Sequence, residues 1–233
     1  MRRSVGLVGA GIWLTALLSG CQPSPSSATV QSTKAPVRTP PTPTPSPAAT
    51  PKPVLALDKV GAAASPSGYL AFAVVSNPSG ETAVEIKVRI DARDATGKVL
   101  MQRTGSISRI GAGAREAVEV AFPVGRSLPG GFSGSITQVH WVTGSSPEVA
   151  EVASASFVQD ARTPSVRVHV VNHRQRAAQI ALVAVCWDAA GNIRGGGTRT
   201  LMVGPEAQGH DVTIDVALST VPVGCDAFGV STG

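Results

Sequence analysis

The sequence predicts an all-β protein in which a disordered tether rich in Pro, Thr and Ser precedes two tandem antiparallel β-sandwich domains. Three observations carry this prediction. Residues 22–53 contain no aromatic, Gly or acidic residue, and the remainder alternates short apolar and polar segments between turn signals. Three of those segments also recur in the same order. We therefore divide the chain into residues 1–20, 21–53, 54–146 and 147–233.

Residues 1–20 have the features of a secretory signal peptide. Arg2 and Arg3 supply the basic start, and an uncharged run, Val5–Leu18, follows them. This run is shorter than the about 20 residues that a membrane-spanning helix needs. We expect the segment to be removed from the mature protein.

The end of that segment, Leu18-Ser19-Gly20-Cys21, resembles the lipobox of bacterial lipoproteins. The resemblance implies a diacylglycerol on the Cys21 thiol and cleavage before that residue. Two or more acyl chains anchor a protein stably, so we expect the protein on the extracytoplasmic side of a bacterial cell membrane, at the cell surface or in the periplasm. The alternative is an ordinary signal peptide with a chance cysteine near its end.

The segment that follows the predicted lipidation site, residues 22–53, is expected to stay disordered, because it has too little apolar surface to offset the entropy of ordering. Its prolines favour polyproline II, which gives a reach on the order of 100 Å. We interpret it as a spacer; a proline-rich ligand for a partner domain is the alternative.

The net charge of +5 does not indicate a nucleic-acid-binding surface. The excess is carried by Arg2 and Arg3 in the signal segment and by Lys34, Arg38 and Lys52 in the tether. All 15 acids lie after residue 53, where they balance the basic residues. We expect no nucleic-acid partner. The oligomeric state stays open.

An internal repeat divides the folded part into two similar units. Three segments of the first unit resemble three of the second in the same order: Leu55–Asn77 and Val152–Asn172, Ile86–Leu100 and Ile180–Arg194, Ile107–Gly131 and Arg199–Gly224.

The clearest strand is Val84–Arg93, where Ile86 and its i+2 neighbours alternate with charged residues. Such a strand buries one face and keeps its charges in water. Asp94-Ala95-Thr96-Gly97 and Asp188-Ala189-Ala190-Gly191 both place Asp first and Gly fourth, as a type I turn prefers. We therefore assign both aspartates a structural role. Short strands between such turns are typical of an immunoglobulin-like β-sandwich.

A strand that runs into Asp-Ala-x-Gly, followed by another strand and a Gly-containing turn, resembles the FxLYD-type domains. The family's Phe-x-Leu-Tyr-Asp string corresponds to the segments 89–94 and 183–188. These domains are small immunoglobulin-like modules of bacterial envelope lipoproteins. The resemblance implies no catalytic residues.

Two cysteines, Cys186 and Cys225, remain beside the predicted lipidation site. In an exported domain they favour a disulfide; two buried thiols or a zinc site are the alternatives. The corresponding residues of the first unit are Ala92 and approximately Phe132, where a small and a large side chain would fill the space that the disulfide fills.

No sequence motif indicates catalysis or a cofactor. The chain has no Gly-x-Ser-x-Gly elbow, no P-loop and no dinucleotide-binding glycine pattern. Gly195–Gly197 is expected to form a hairpin turn. A metal pair at His169 and His210 is an open alternative to isolated surface histidines. We expect no enzyme, no cofactor and no metal.

The second unit carries a candidate interaction patch. Where the first unit places charges, the strand around Cys186 has outward apolar residues, and such a face needs a cover. Packing between the two domains is the first expectation and a partner site the second. The patch consists of Ala181, Val183, Val185 and Trp187, and Arg167, His169 and Val171 are expected to border it.

These observations predict a non-catalytic, membrane-anchored lipoprotein that acts as a protein-interaction or envelope-organising module, with an envelope protein as its possible partner. The alternative is a ligand-binding sandwich for a cell-wall glycan or a small molecule. Sugars stack on aromatic faces, and besides phenylalanines the folded part offers only Tyr69, Trp141 and Trp187.

Overall fold

A computed structural model describes residues 52–125, 129–144, 150–159, 163–205 and 209–231. Every regular element in these residues is a β-strand and none is a helix, so the all-β prediction is confirmed. The strands are β1 (Ala56–Ser65), β2 (Gly68–Ser76), β3 (Thr82–Arg93), β4 (Val99–Ile110), β5 (Arg115–Pro123), β6 (Gly131–Val142), β7 (Ala150–Val158), β8 (Ser165–Asn172), β9 (Ala178–Trp187), β10 (Ile193–Val203), β11 (His210–Asp215), β12 (Ala217–Leu218) and β13 (Gly224–Ser231).

The strands form four antiparallel sheets, two in each half of the folded part. The first half has the orders β1-β2-β5 and β4-β3-β6, and the second half has β11-β8-β7 and β12-β10-β9-β13. The first six strands therefore pair in the same order as β7 to β11 and β13. The short strand β12 is the addition in the second half.

Strand β3 confirms the predicted alternation on its inward face. Ile86, Val88 and Ile90 are fully buried, because successive residues of a strand point to opposite sides of the sheet. The outward face differs from the expectation at one residue. Asp91 was expected in water but is only 5% exposed. Two flanking guanidinium groups cover its carboxylate, one from Arg93 at 3.0 Å and one from Arg89 at 3.6 Å.

Strand β2 is buried on both faces. Ala71, Ala73 and Val75 pack in the core of the first half, and the alternate residues Phe72 and Val74 pack on the other side of the sheet. A strand covered on both sides has a continuous apolar run, which here is Leu70 to Val75.

We call the cluster on that other side of β2 the junction cluster. It joins residues of both halves, and the described residues accordingly belong to one compact unit. The sheets β1-β2-β5 and β12-β10-β9-β13 meet at this cluster, and each packs against the core of its own half on its other face. The four sheets therefore stack in four layers. The cluster consists of Phe72, Val74, Ala117, Val185, Ile193 and Phe228, with Leu70, Val183 and Trp187 packed against them.

Strand β10 packs against the sheet of the first half at this junction, and Gly196 permits the close approach. A Cβ at Gly196 would lie 2.9 Å from Cε1 of Phe72 and would collide with the carbonyl oxygen of Ala184. The expected hairpin turn at Gly195–Gly197 is therefore wrong. The three glycines lie inside β10, where glycine marks close contact with another chain segment.

A buried asparagine closes the same corner of each half. The Nδ2 of Asn77 donates to the carbonyl oxygens of Ile110 at 3.1 Å and Gly111 at 3.0 Å. In the second half, Nδ2 of Asn172 donates to the carbonyl of Val203 at 2.9 Å. Buried polar groups need such partners. The repeated segments end in these residues, but sequence analysis did not assign them a role.

Candidate functional site

The predicted disulfide is present. Cys186 on β9 and Cys225 on β13 lie directly opposite each other in register, and their sulfur atoms are bonded at 2.03 Å. Antiparallel pairing places facing side chains close enough for this bond. Cys21, with the predicted signal peptide and almost all of the predicted tether, lies outside the described residues.

The first half fills the corresponding space with aromatic rings. Ala92 on β3 faces Phe132 on β6 in register, as their correspondence to the cysteine pair predicted. The Phe132 ring centroid lies 5.5 Å from that of Phe122 and 5.9 Å from that of Tyr69. Such offset and edge contacts are the favoured arrangements of aromatic pairs.

The apolar outward face of β9 is covered from within the chain. Val183, Val185 and Trp187 pack in the junction cluster against residues of the first half. Ala181 is half-buried at the edge of a cleft described below. Val185 is fully buried, whereas Val183 and Trp187 are half-buried, so the junction removes most but not all of this face from solvent.

The expected border of that patch lies elsewhere. Arg167, His169 and Val171 are outward residues of β8, which belongs to the sheet β11-β8-β7 on the far side of the second core. The expectation that they border the β9 patch is wrong, because β8 and β9 belong to different sheets of the same sandwich.

Equivalent positions of the two halves carry different residue types. Positions that are apolar on the faces meeting at the junction are polar or charged on the outer faces. Arg89, Asp91 and Arg93 occupy the positions in the first half that Val183, Val185 and Trp187 occupy in the second. Likewise, Arg167 and His169 correspond to Phe72 and Val74. Among the described residues no strand covers the two outer faces, and these faces carry polar and charged side chains at the positions where the two joined faces carry apolar ones.

The open alternative of a metal pair at His169 and His210 is contradicted. Asp211 faces His169 in register, so the neighbouring His210 points to the other side of the sheet. His169 Nδ1 instead lies 2.9 Å from Oδ1 of Asp211. No group of three or more His, Cys, Asp or Glu side chains in the described residues is arranged to hold a metal ion.

The two turn aspartates have the structural role that the sequence predicted. Asp188 Oδ1 accepts hydrogen bonds from the backbone N–H groups of Ala190 at 2.9 Å and Asn192 at 2.8 Å. The N–H of Gly191 donates to the backbone carbonyl oxygen of Asp188. The backbone hydrogen bond from Asn192, with further bonds from its side chain and from Arg194, lowers the pKa of Asp188 to about 2. A hydrogen bond from the Thr96 hydroxyl similarly lowers the pKa of Asp94.

A cleft of about 710 Å³ opens along the edge of the junction. From the first half, the cleft is lined by three consecutive residues each of β3 (Glu85–Lys87), β4 (Ser106–Ser108) and β5 (Ala117–Glu119), and by Gln138 of β6. Thr198 and Thr200 of β10, with Ala181 and Val183 of β9, line it from the second half. A cavity of this size between two packed bodies is a common location for a binding site.

Glu119 is the distinctive group in this cleft. Burial raises the pKa of its carboxyl, and a hydrogen bond from the Thr198 side chain opposes part of that rise. Sequence analysis missed the residue. Glu119 could have been noticed as a charged residue within an apolar strand. It lies on β5 directly opposite Phe72, on the face that the junction buries.

Helices long and apolar enough to span a membrane do not occur in the described part of the chain.

Comparison of the chain with family models gives no match, and no curated protein is significantly similar to it.

Proposed function

We propose that the chain is a non-catalytic lipoprotein, anchored to a bacterial membrane through Cys21, which displays a β-sandwich body for protein interaction or envelope organisation. The observation that carries this proposal is Leu18-Ser19-Gly20-Cys21 directly before a proline-rich stretch. Acyl chains on Cys21 would hold the protein at the membrane, and residues 22–53 would set its reach.

We further propose that each half is an immunoglobulin-like module of FxLYD type. The repeated strand order supports this proposal, as do the two equivalent Asp-Ala-x-Gly turns that begin at Asp94 and Asp188. In a body of this kind the sheets provide a scaffold, and recognition takes place on its faces, loops and clefts.

The aromatic residues favour protein interaction over glycan binding as the role of this body. A sugar site commonly presents an exposed aromatic face. In the described residues, Tyr69 and Trp141 are partly buried against the first core, and Trp187 packs at the junction. The side chains that would stack on a sugar are therefore engaged in packing.

Metabolic labelling with radioactive palmitate tests the anchor. The wild-type chain should incorporate label and fractionate with membranes, whereas Cys21→Ser should lose both, because the only predicted acyl acceptor is gone. Cys225→Ser is the matched control and should keep the label. Label retained in Cys21→Ser, or absent from the wild type, would contradict the proposal.

A further inference from the structure

The first half has an apolar pocket at one end of its core, beside the aromatic cluster of Tyr69, Phe122 and Phe132. The volume of the pocket is about 210 Å³. Tyr69 and Phe122, which face each other on β2 and β5, line it from one sheet. Ala92 and Met101, which face each other on β3 and β4, line it from the other sheet. The pocket therefore lies between the two sheets of this half.

The lining of this pocket is apolar. None of the described residues that line it is charged, and the Tyr69 hydroxyl is the only side-chain oxygen among them. Aliphatic side chains continue at the rim, where Leu100 is 37% exposed and Val124, between the lining residues Pro123 and Gly125, is 69% exposed. Apolar walls give water too few hydrogen-bond partners, so the pocket favours an uncharged, apolar ligand.

The second half fills the equivalent position with its own chain. Strand β12 pairs there with Gly195 and Gly196 of β10, and its Leu218 packs against the core of the second half. The strand registers make Met101 the equivalent of Gly195 and Val124 the equivalent of Leu218. Because Val124 is mostly exposed, it does not supply in the first half the apolar contact that Leu218 supplies in the second.

We propose that this pocket binds a small uncharged molecule through a single aromatic ring, which takes the place that Leu218 takes in the second half. An apolar cavity of about 150 Å³ accommodates benzene, so 210 Å³ has room for one ring with a small substituent. The rings of Tyr69 and Phe122 and the thioether of Met101 favour an aromatic ring over an aliphatic one. This binding site goes beyond the interaction role proposed above.

The test uses the purified full-length chain, isotope-labelled at its methionine methyl groups for nuclear magnetic resonance. Met101 lines the pocket, whereas Met202 of the second half is 64% exposed. Titration with p-cresol should shift the Met101 signal through the ring current, with a dissociation constant on the order of 1 mM. The Met202 signal should stay unchanged. The anion p-toluate, of similar size, should leave both signals in place, because its charge would lose hydration without gaining a partner.

Two variants test the position of the site. Leu100→Ser changes a partly exposed side chain at the rim and should weaken p-cresol binding about fivefold, because an apolar contact is lost. Ala92→Leu enlarges a side chain inside the pocket and should abolish the Met101 shift. Val223→Ser is the control, since this valine of the second half is 73% exposed and does not line the pocket. It should leave the affinity unchanged.

An unshifted Met101 signal at about 10 mM p-cresol, an equal shift of the Met202 signal, or undiminished affinity in either pocket variant would overturn the inference. These outcomes are independent of palmitate labelling at Cys21. The pocket can therefore fail the test while the anchor stands, and the reverse.

Discussion

At the residue scale, the turn aspartates show how one side chain organises a hairpin. Asp188 accepts two backbone N–H groups with one oxygen, while its other oxygen lies 2.7 Å from the guanidinium of Arg194. These bonds favour the ionised carboxylate. The first half repeats the arrangement at Asp94, whose Oδ1 accepts the N–H groups of Thr96 and Lys98.

The lowered pKa of Asp188 predicts a pH-dependent effect of Asp188→Asn. A carboxyl whose folded-state pKa is about 2 contributes stability above its unfolded pKa of about 4, and that contribution disappears as the pH falls towards about 2. Asn keeps the turn's acceptor but has no charge. The variant should therefore have a lower urea midpoint than the wild type at pH 6.

The difference should shrink as urea titrations are repeated from pH 5 down to pH 2. Asp94→Asn is the matched variant, and its difference should shrink in the same direction, because the pKa of Asp94 is also lowered. A midpoint difference that stays constant down to pH 2 would exclude the ionised carboxylate as its source.

At the element scale, the two halves stabilise the same strand pair by different chemistry. The second half links β9 to β13 through the disulfide Cys186–Cys225. In the first half, the equivalent strands β3 and β6 carry Ala92 and Phe132, and the Phe132 ring packs on Phe122. A disulfide restricts the unfolded chain, whereas the aromatic pair contributes through burial.

Removal of the disulfide should destabilise the protein substantially. The double variant Cys186→Ala with Cys225→Ala opens a loop with a sequence separation of 39, which the chain-entropy model values at about 3–4 kcal/mol. Chemical denaturation monitored by circular dichroism measures the loss. An unchanged free energy of unfolding would show that the bond contributes nothing.

A matched variant tests whether a small and an aromatic side chain can replace the disulfide between β9 and β13. Cys186→Ala combined with Cys225→Phe reproduces the small and large pair of the first half. The residues that correspond to Tyr69 and Phe122 there are Pro164 and Val216, which are smaller. We expect this variant to recover part of the stability that the double alanine variant loses, and a further loss would contradict the equivalence.

At the scale of the whole molecule, the junction cluster makes one folding unit of two sandwiches. Phe72 from the first half and Val185 from the second are both fully buried in it. The residues between the outer sheets therefore form three apolar layers, two inside the halves and one between them.

Phe72→Ala should uncouple the halves. Loss of a buried phenyl ring costs about 3–5 kcal/mol, and this ring packs over β10 at Gly196. We expect faster hydrogen exchange in both β2 and β9, and two thermal transitions in place of one. Ile90→Ala, inside the first core, is the control and should affect β9 little. Unchanged exchange in β9 of the Phe72 variant would rule out coupling through this ring.

Much of the fold was predictable from the sequence, because it depends on local patterns. The alternation around Ile86 predicted the buried face of β3, and the two cysteines of the second unit predicted the disulfide. Features set by layer packing were not predictable. The Gly195–Gly197 segment has the composition of a turn, but it lies in a strand against close neighbours: the Phe72 ring at Gly196, and the backbone of Ala217 and Asp215 at the other two glycines. The cleft depends on the way β4, β5 and β10 meet, which no single segment encodes.

The charges on the two outer sheets bear on whether further molecules can stack on this one. The two outer sheets have the same strand orders as the two sheets that meet at the junction. Their backbones could therefore stack in the same way, and repeated stacking of this kind would build an open-ended chain of molecules. Arg89, Arg93 and Arg167 occupy the positions where such a contact would need Val183, Trp187 and Phe72. Dehydrating these guanidinium groups against one another is costly, which disfavours this particular mode of stacking.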